Sequence, residues 1–474
     1  MYLPTIFRSF SIQPGIKEGF VDPPYVSNPL LGSFTMLLDS LNLPILMAIC
    51  VVTLFVAIYS IPYMSHRFHE MEQEEEHPPS WSTYYSMYLM FSVAMLGTVL
   101  SANLVEFYVF LELTLVPSFL LIAFYGYGAR VRIAILYFIW THVGALLFLI
   151  GIFLTGLNVG TFDLVNLQRM SLNYGVEKLI PEGIRTFVLL AIVIGLMVKL
   201  AAFGVHIWLP YAHAEAPTPI SALLSPNLIG IAGYALVRIA ITLFPNSFLS
   251  ISPYLILWAL LTMIYGGLMA LAQDDFKRLL AYSSVSQMGY VLLGVASMTP
   301  LGISGAMLHY VSHAVGKALL FMTAGNLIVT FNGLRSIGKM GGVARKLPLT
   351  ASLALVGFLH ITGVPPSLGF WSEILTIMGA MNRAMSMGTS IYVAMIVGLL
   401  TAIGLSTIYA FLTMKRIFYG EEGEGISGLK PEELRGLVLP MILIAAFGVV
   451  MFFYPSLLVD PLVSLVKSVY FAPG

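Results

Sequence analysis

The sequence predicts an all-α polytopic membrane protein of about 12 transmembrane helices. Composition is the first reason: of 474 residues, 58% are hydrophobic and only 10% charged, where a soluble domain carries about 25% charged residues. Mean hydropathy is +0.90. The second reason is that apolar runs of roughly 20 residues, the length of a membrane-spanning helix, recur along the chain. A net charge of +0 gives no electrostatic case for nucleic acid. The one cysteine, Cys50, sits in an apolar run and reads as buried. A single thiol excludes a disulfide framework, a zinc site and a cysteine-ligated iron–sulfur cluster in this chain. Any redox chemistry it serves is carried elsewhere.

Residues 1–40 hold no spanning segment and lack the basic-then-apolar order of a signal peptide, so they are expected as a non-spanning segment on the outer side. Spans follow near 43–64, 83–102, 103–126, 132–155 and 185–209, then a half-helix near 216–225. Further spans lie near 226–245, 252–273, 278–298, 302–331, 349–381, 390–418 and 434–454. Counting 185–225 and 349–381 as one broken crossing each gives 12, in a single transmembrane domain over 41–456 with a short tail at 457–474. Basic loop residues divide thirteen against seven, the larger group including Arg67, Lys277 and the RSIGKMGGVARK cluster at 335–346. That bias assigns the first side to the cytoplasm and both termini to the outside.

Six charges fall inside spans: Lys199, Arg238, Lys317, Glu106, Glu112 and Glu373. Each costs roughly 2.5–3.5 kcal/mol at the centre of a helix in lipid, and such residues normally face a protein interior or a wet cavity on an ion path. The stretch HYVSHAVGK places His309, His313 and Lys317 four residues apart, on one helical stripe. Three proton-exchanging groups then span about 12 Å of helix rise, and histidine titrates near neutral pH. The alternative is that the histidines bond a carbonyl or Ser312 and only fix packing.

Two spans carry breakers. In VKLAAFGVHIWLPYAHAEAPTPIS, residues 198–221, Lys199 precedes His206 and Pro210, then His213, Glu215, Pro217 and Pro219. Proline inside a helix removes a hydrogen bond and clashes with the preceding turn, so the crossing should break at Pro210. In LHITGVPPSLGFWSEILTIMG, residues 359–379, Gly363, Pro365 and Pro366 interrupt the helix ahead of Glu373. Two interrupted segments in corresponding halves point to inverted repeats around a transport site. In VEFYVFLELTLVPSF, Glu112 lies deeper than Glu106, which reads equally as a solvated end residue. A carboxylate near Lys199 would hold it charged and release its proton on separation. Arg238 reads as structural, Asp274 and Asp275 as helix caps, and Asp39 as an outer-interface residue.

LELTLVPSFLL, VKLAAFGVHIWLPYAHAEAPTPISALLS, MALAQDDFKRLLAYSSVSQMGYVLLG, LHYVSHAVGKALLFMTAGNLI and GVPPSLGFWSE together resemble the proton-conducting antiporter-like subunits. Respiratory complex I, Mrp cation/proton antiporters and energy-converting membrane-bound hydrogenases share these subunits. The resemblance covers roughly residues 33–420. It implies two inverted five-helix repeats, each with a broken helix, here without the family's first two helices. A neighbouring subunit or lipid would occupy that space. It further implies that Glu112 pairs with Lys199, and that Glu373 is the acid of the twelfth helix, as in M-type subunits. His309, His313 and Lys317 resemble the ladder of L-type and large Mrp subunits. One departure stands out: M-type subunits place a central lysine where this chain has Gly230, four residues before Tyr234.

The resemblance implies an ion-translocating subunit, for H⁺ or Na⁺, of a multisubunit redox-driven complex. Its partners would be other antiporter-like and small membrane subunits together with peripheral redox subunits. Cofactors such as iron–sulfur or nickel–iron centres would sit only in those partners. The rivals are an Mrp-type antiporter subunit without electron transfer, and a structural subunit whose channel has decayed. Neighbouring genes separate the first two, and tolerance to substitution at Glu112, Lys199 and Lys317 decides the third.

Overall fold

A computed structural model describes residues 20–471 apart from Lys430 and Glu432. Arg8, Lys17 and Lys430, which entered the charge comparison between loops, lie outside the described residues. The described residues open with two antiparallel ribbons, β1 (Phe20–Val21) with β4 (Leu37–Leu38) and β2 (Val26–Asn28) with β3 (Gly32–Phe34). Asn28 Oδ1 accepts from the backbone N–H groups of Leu30 and Leu31 to close the turn. Asn103 Nδ2 donates to the Leu31 carbonyl at 2.8 Å and ties the ribbon to the helices.

The helices are α1 (Leu43–Gln73), α2 (Trp81–Leu100), α3 (Leu104–Tyr125), α4 (Arg130–Val159), α5 (Leu164–Tyr174), α6 (Glu182–Leu200), α7 (Trp208–Glu215) and α8 (Thr218–Ile241). After them come α9 (Pro245–Leu271), α10 (Phe276–Ala296), α11 (Pro300–Thr330), α12 (Pro348–Ile361), α13 (Leu368–Met387), α14 (Thr389–Phe418), α15 (Arg435–Phe453) and α16 (Ser456–Tyr470). Among the described residues, 11 are long and apolar enough to cross a membrane. The broken pair α12–α13 supplies a further crossing, giving an all-α multi-pass membrane protein. Leu54, Val93, Ile139, Leu261 and Leu400 lie on its exposed apolar exterior, a surface suited to lipid.

Helices α8, α10 and α11 are enclosed almost entirely by the others. Close approach between helices in lipid needs small residues, and α11 meets α13 that way: a Cβ on Gly379 would stand 2.2 Å from the Gly302 nitrogen. The first break does not fall at Pro210. Helix α6 ends at Leu200, and Ala201 adopts a left-handed conformation (φ 58°) as its C-cap. Pro210 sits in the first turn of α7, where a missing N–H costs nothing. The half-helix is therefore 208–215, and the segment read as 216–225 belongs to a continuous α8, which absorbs Pro226 in a wide turn at Leu224–Leu228.

Backbone groups freed inside a membrane must be satisfied by protein or water. At the first break three indoles do this. Trp208 Nε1 donates to the Val198 carbonyl (2.9 Å), Trp140 Nε1 to Val205 (2.9 Å) and Trp258 Nε1 to Phe203 (2.8 Å). At the second break hydroxyls serve: Ser367 Oγ donates to the Leu359 carbonyl, Thr362 Oγ1 to Phe358 and Ser312 Oγ to His360.

Several residues read as peripheral are internal. Asp39 is buried and holds Arg238 through both oxygens at 2.6 and 2.7 Å, while Arg238 Nε donates to the Tyr234 hydroxyl. Arg238 is structural, as its permanent charge suggested. Glu106 is fully buried and accepts from the Tyr25 hydroxyl and from the backbone nitrogens of Thr35 and Ala102. Asp275 caps α10 by accepting from Arg278 N, whereas Asp274 accepts from Ser336 Oγ and Gly338 N. Cys50, in contrast, is exposed on α1. The tail folds as the amphipathic α16, which buries Leu458, Leu462, Val466 and Val469 and packs on α11.

Removing one partner of a buried ion pair leaves an uncompensated charge, at about 3–5 kcal/mol, whereas replacing both with apolar residues is close to neutral. Asp39→Leu should therefore lower the thermal unfolding temperature of the purified complex, and adding Arg238→Met should restore most of it. Equal loss in the single and double variants would contradict the pairing.

Candidate functional site

Helix α11 is the spine of the site. His309, His313 and Lys317 are each at most 1% exposed, so the stripe read from the sequence lies wholly inside protein. Lys317 Nζ donates to the Leu280 carbonyl at 3.0 Å and to the Ser283 hydroxyl, both on α10. His309 Nδ1 and the Ser372 hydroxyl of α13 are 3.1 Å apart, and the imidazole stacks on Tyr290. His313, between them, has no hydrogen-bond partner at either nitrogen. Lys317, His309 and His213 are the charged and titratable groups that act on it.

His213 is brought to this row by the short helix α7. It is fully buried, its ring stacks on Phe321, and neither nitrogen is hydrogen-bonded. Glu215, two residues on and the last of α7, is half-buried against Gly128. His206 lies in the break itself, beside the rings of Phe203 and Tyr265. Pro210 lies in the opening turn of α7, and Pro365 lies within the loop between α12 and α13.

At the far end Glu373 on α13 is 7% exposed, with Oε1 unpartnered. Gly363 makes room for it: a Cβ there would stand 2.5 Å from Glu373 Oε2. Tyr290, which carries His309 on its face, and Tyr409 both feel the Glu373 charge. The ladder and the acid thus share one aromatic neighbourhood.

At the other end the expected contact differs. Lys199 stands in the last turn of α6, buried, and its Nζ has no hydrogen-bond partner. Glu112 is the carboxylate whose charge acts on it, yet Glu112 Oε2 is bonded instead to His142 Nδ1 on α4, at 2.6 Å. The Glu112–Lys199 ion pair is not formed. His142 and Glu112 remain 38% and 20% exposed, so the pair looks toward the rim of the subunit while Lys199 looks inward.

Gly230 is occupied space. A Cβ at that position would lie 2.2 Å from Tyr310 Cδ2, and the Tyr310 hydroxyl is anchored by donating to the Asn227 carbonyl at 2.7 Å. The tyrosine next to His309 on α11 fills the place where a central lysine would reach.

A family profile described as NADH:quinone oxidoreductase/Mrp antiporter, TM, matches residues 101–403. The chain belongs to this family. A second profile, for the N-terminus of complex I chain 5, matches residues 27–70. The chain is 34% identical over 414 residues to the F420H2 dehydrogenase subunit M of Methanosarcina mazei, covering 85% of this chain and 77% of that one. It is 33% identical over 340 residues to the NADH-quinone oxidoreductase subunit M of Rickettsia bellii, covering 71% and 65%. Its fold resembles a chain of respiratory complex I from Thermus thermophilus, with TM-score 0.81 at 27% identity over 98% of this chain and 91% of that one. A chain of the Mrp complex from Dietzia sp. superposes with TM-score 0.80 at 21% identity, over 99% and 91%, a likeness of fold alone.

Within this antiporter-like subunit, two site residues escaped the sequence reading. His142 stands in the middle of an apolar helix, the same signal that singled out Lys317, but as a lone histidine it gave no pattern. Lys277 counted as a loop charge because it precedes the span read near 278–298; it is fully buried, and its Nζ donates to the Ala216 carbonyl at 2.5 Å, at the end of α7.

Two outcomes follow. His142→Ala should lower ion translocation by the intact complex to the same degree as Glu112→Gln, and normal translocation would remove His142 from the site. Gly230→Ala overpacks against Tyr310 and should destabilise by about 1–3 kcal/mol, read as a lower unfolding temperature that Gly230→Ala with Tyr310→Leu recovers.

Proposed function

We propose that this subunit conducts protons across the cell membrane within a multisubunit, redox-driven complex. The supporting observation is the set of buried titratable side chains on α6, α7, α11 and α13: Lys199, His213, Lys317, His313, His309 and Glu373. Most of them keep a polar atom without a protein partner. Buried polar groups are costly unless hydrogen-bonded, and water that satisfied these atoms would also link them into a relay. A structural subunit would have no use for so many unpartnered polar groups inside the bundle.

In this reading the charge-rich side faces the cytoplasm and both termini lie outside. A proton received from that side reaches Lys317, passes His313 and His309, and leaves by way of Glu373. The Glu112–His142 contact sets the control. When Glu112 turns from His142 to Lys199, it holds the lysine charged; when it turns back, the lysine gives up its proton to the row. The similarity to an F420H2 dehydrogenase subunit and to NADH-quinone oxidoreductase subunits supports redox driving, with the redox centres in partner subunits.

The test uses membrane vesicles bearing the intact complex, with Lys199→Ala and Glu373→Gln introduced separately. Proton translocation per turnover should fall in both while the complex remains assembled. Translocation at the unsubstituted level in both variants would refute the proposal. Performing the assay in Na⁺-free and Na⁺-containing buffer distinguishes a proton from a sodium path.

A further inference from the structure

Helix α13 runs antiparallel to α11 along a seam of small residues. Besides the approach of Gly302 to Gly379, a Cβ on Gly305 would stand 2.4 Å from the Thr376 nitrogen, and one on Gly369 would stand 3.1 Å from the Ser312 hydroxyl. Positions 302, 305 and 312 of α11 thus meet 379, 376 and 369 of α13. The same register sets 309 opposite 372. Backbone packing through small residues therefore brings Ser372 to His309. Both side chains are fully buried, and the Tyr290 ring stacks on the imidazole.

The donors and acceptors at this contact can be assigned. Ser372 Oγ donates to the Gly369 carbonyl at 2.9 Å, and a hydroxyl has one proton to give. Toward His309 Nδ1, 3.1 Å away, the same oxygen is therefore an acceptor, and Nδ1 carries the hydrogen. The bond made at one ring nitrogen decides the state of the other. Neutral His309 accordingly has its lone pair on Nε2, which has no protein partner. His313 differs: neither of its nitrogens is bonded, so no protein group selects its tautomer.

We infer that Ser372 is a positioning residue that fixes His309 in the Nδ1–H tautomer, so that His309 takes up and gives back protons through Nε2 alone. The inference rests on the proposed proton path and specifies how its last histidine works. An arriving proton bonds to the Nε2 lone pair and makes an imidazolium. The Nδ1–H bond stays intact, because Ser372 Oγ would have to break its bond to the Gly369 carbonyl to pass a proton on. The Nε2–H bond is the one that breaks when the proton leaves, and the ring returns to the same neutral tautomer. His313 is free to accept at one nitrogen and release at the other. His309 is not, and it holds the charge until a receiver reaches Nε2. The ladder conducts through His313 and pauses at His309.

The experiment pairs nitrogen-15 solid-state spectra of the histidine-labelled intact complex, which distinguish the two tautomers, with proton translocation in vesicles. His309→Gln identifies the His309 signal by its disappearance and serves as the control for the path. In the unsubstituted complex the neutral His309 signal should be that of Nδ1–H. A hydrogen on Nε2 would overturn the inference whether or not any Ser372 variant assembles. Ser372→Ala should move the signal toward Nε2–H and lower translocation, by less than His309→Gln does. If translocation falls in Ser372→Ala while the tautomer is unchanged, Ser372 serves only the first turn of α13, and the positioning role is overturned. A changed tautomer with unaltered translocation overturns it as well, and so does a Ser372→Ala complex unaltered in both, while the path stands on a loss in His309→Gln. If His309→Gln itself translocates normally, His309 leaves the path and the inference falls with it.

Discussion

A charge placed inside a membrane has to be housed by protein, and the architecture follows from one helix obeying that rule. Helix α11 carries His309, His313 and Lys317 along one side, so it cannot touch lipid. Helices α10, α12, α13, α1, α15 and α16 pack around it. Lys317 then needs acceptors, which α10 supplies through the Leu280 carbonyl and Ser283. His309 needs one too, and α13 supplies Ser372. The enclosing helices are fixed by the polar groups they serve as much as by their apolar faces.

The two broken crossings extend the same logic. Interrupting a helix at membrane depth exposes carbonyls that nothing in lipid can satisfy. Trp208, Trp140 and Trp258 close the first break, each pairing a large apolar ring with a single donor, a combination suited to a site at the edge of an apolar interior. With those carbonyls satisfied, the break frees side chains for other work: His213 is delivered to the row on α11, and Ala216 to Lys277. The second break places Gly363 under Glu373, so the acid gains space that any other residue would take.

Sequence patterns that act within one helix were readable. Spacing placed His309, His313 and Lys317 on one side, and Gly363 with Pro365 marked the second interruption close to where it falls. Features set by partners elsewhere in the chain were not. The first break begins at Ala201 and runs through Gly204 (φ 87°), a glycine signal overshadowed in the sequence by Pro210, which starts a helix instead of ending one. QDDFKR looks like a loop, yet Lys277 is drawn inside by two carbonyls on α7 and the turn beyond it. Glu112 chose His142 over Lys199, a choice between helices that one sequence cannot display. Asp39, in a segment without helical pattern, is held by Arg238, 199 positions away.

The central claim is that Lys317, anchored on α10 and followed by two histidines, carries the proton through the middle of the subunit, where Tyr310 closes the alternative position at Gly230. Its most direct measurement is proton translocation per turnover in vesicles bearing the intact complex with Lys317→Met, which keeps the side chain's length and removes its charge. The account predicts that translocation through this subunit is lost, lowering the number of protons moved per turnover while the complex stays assembled. An unchanged proton number in an assembled Lys317→Met complex would contradict it.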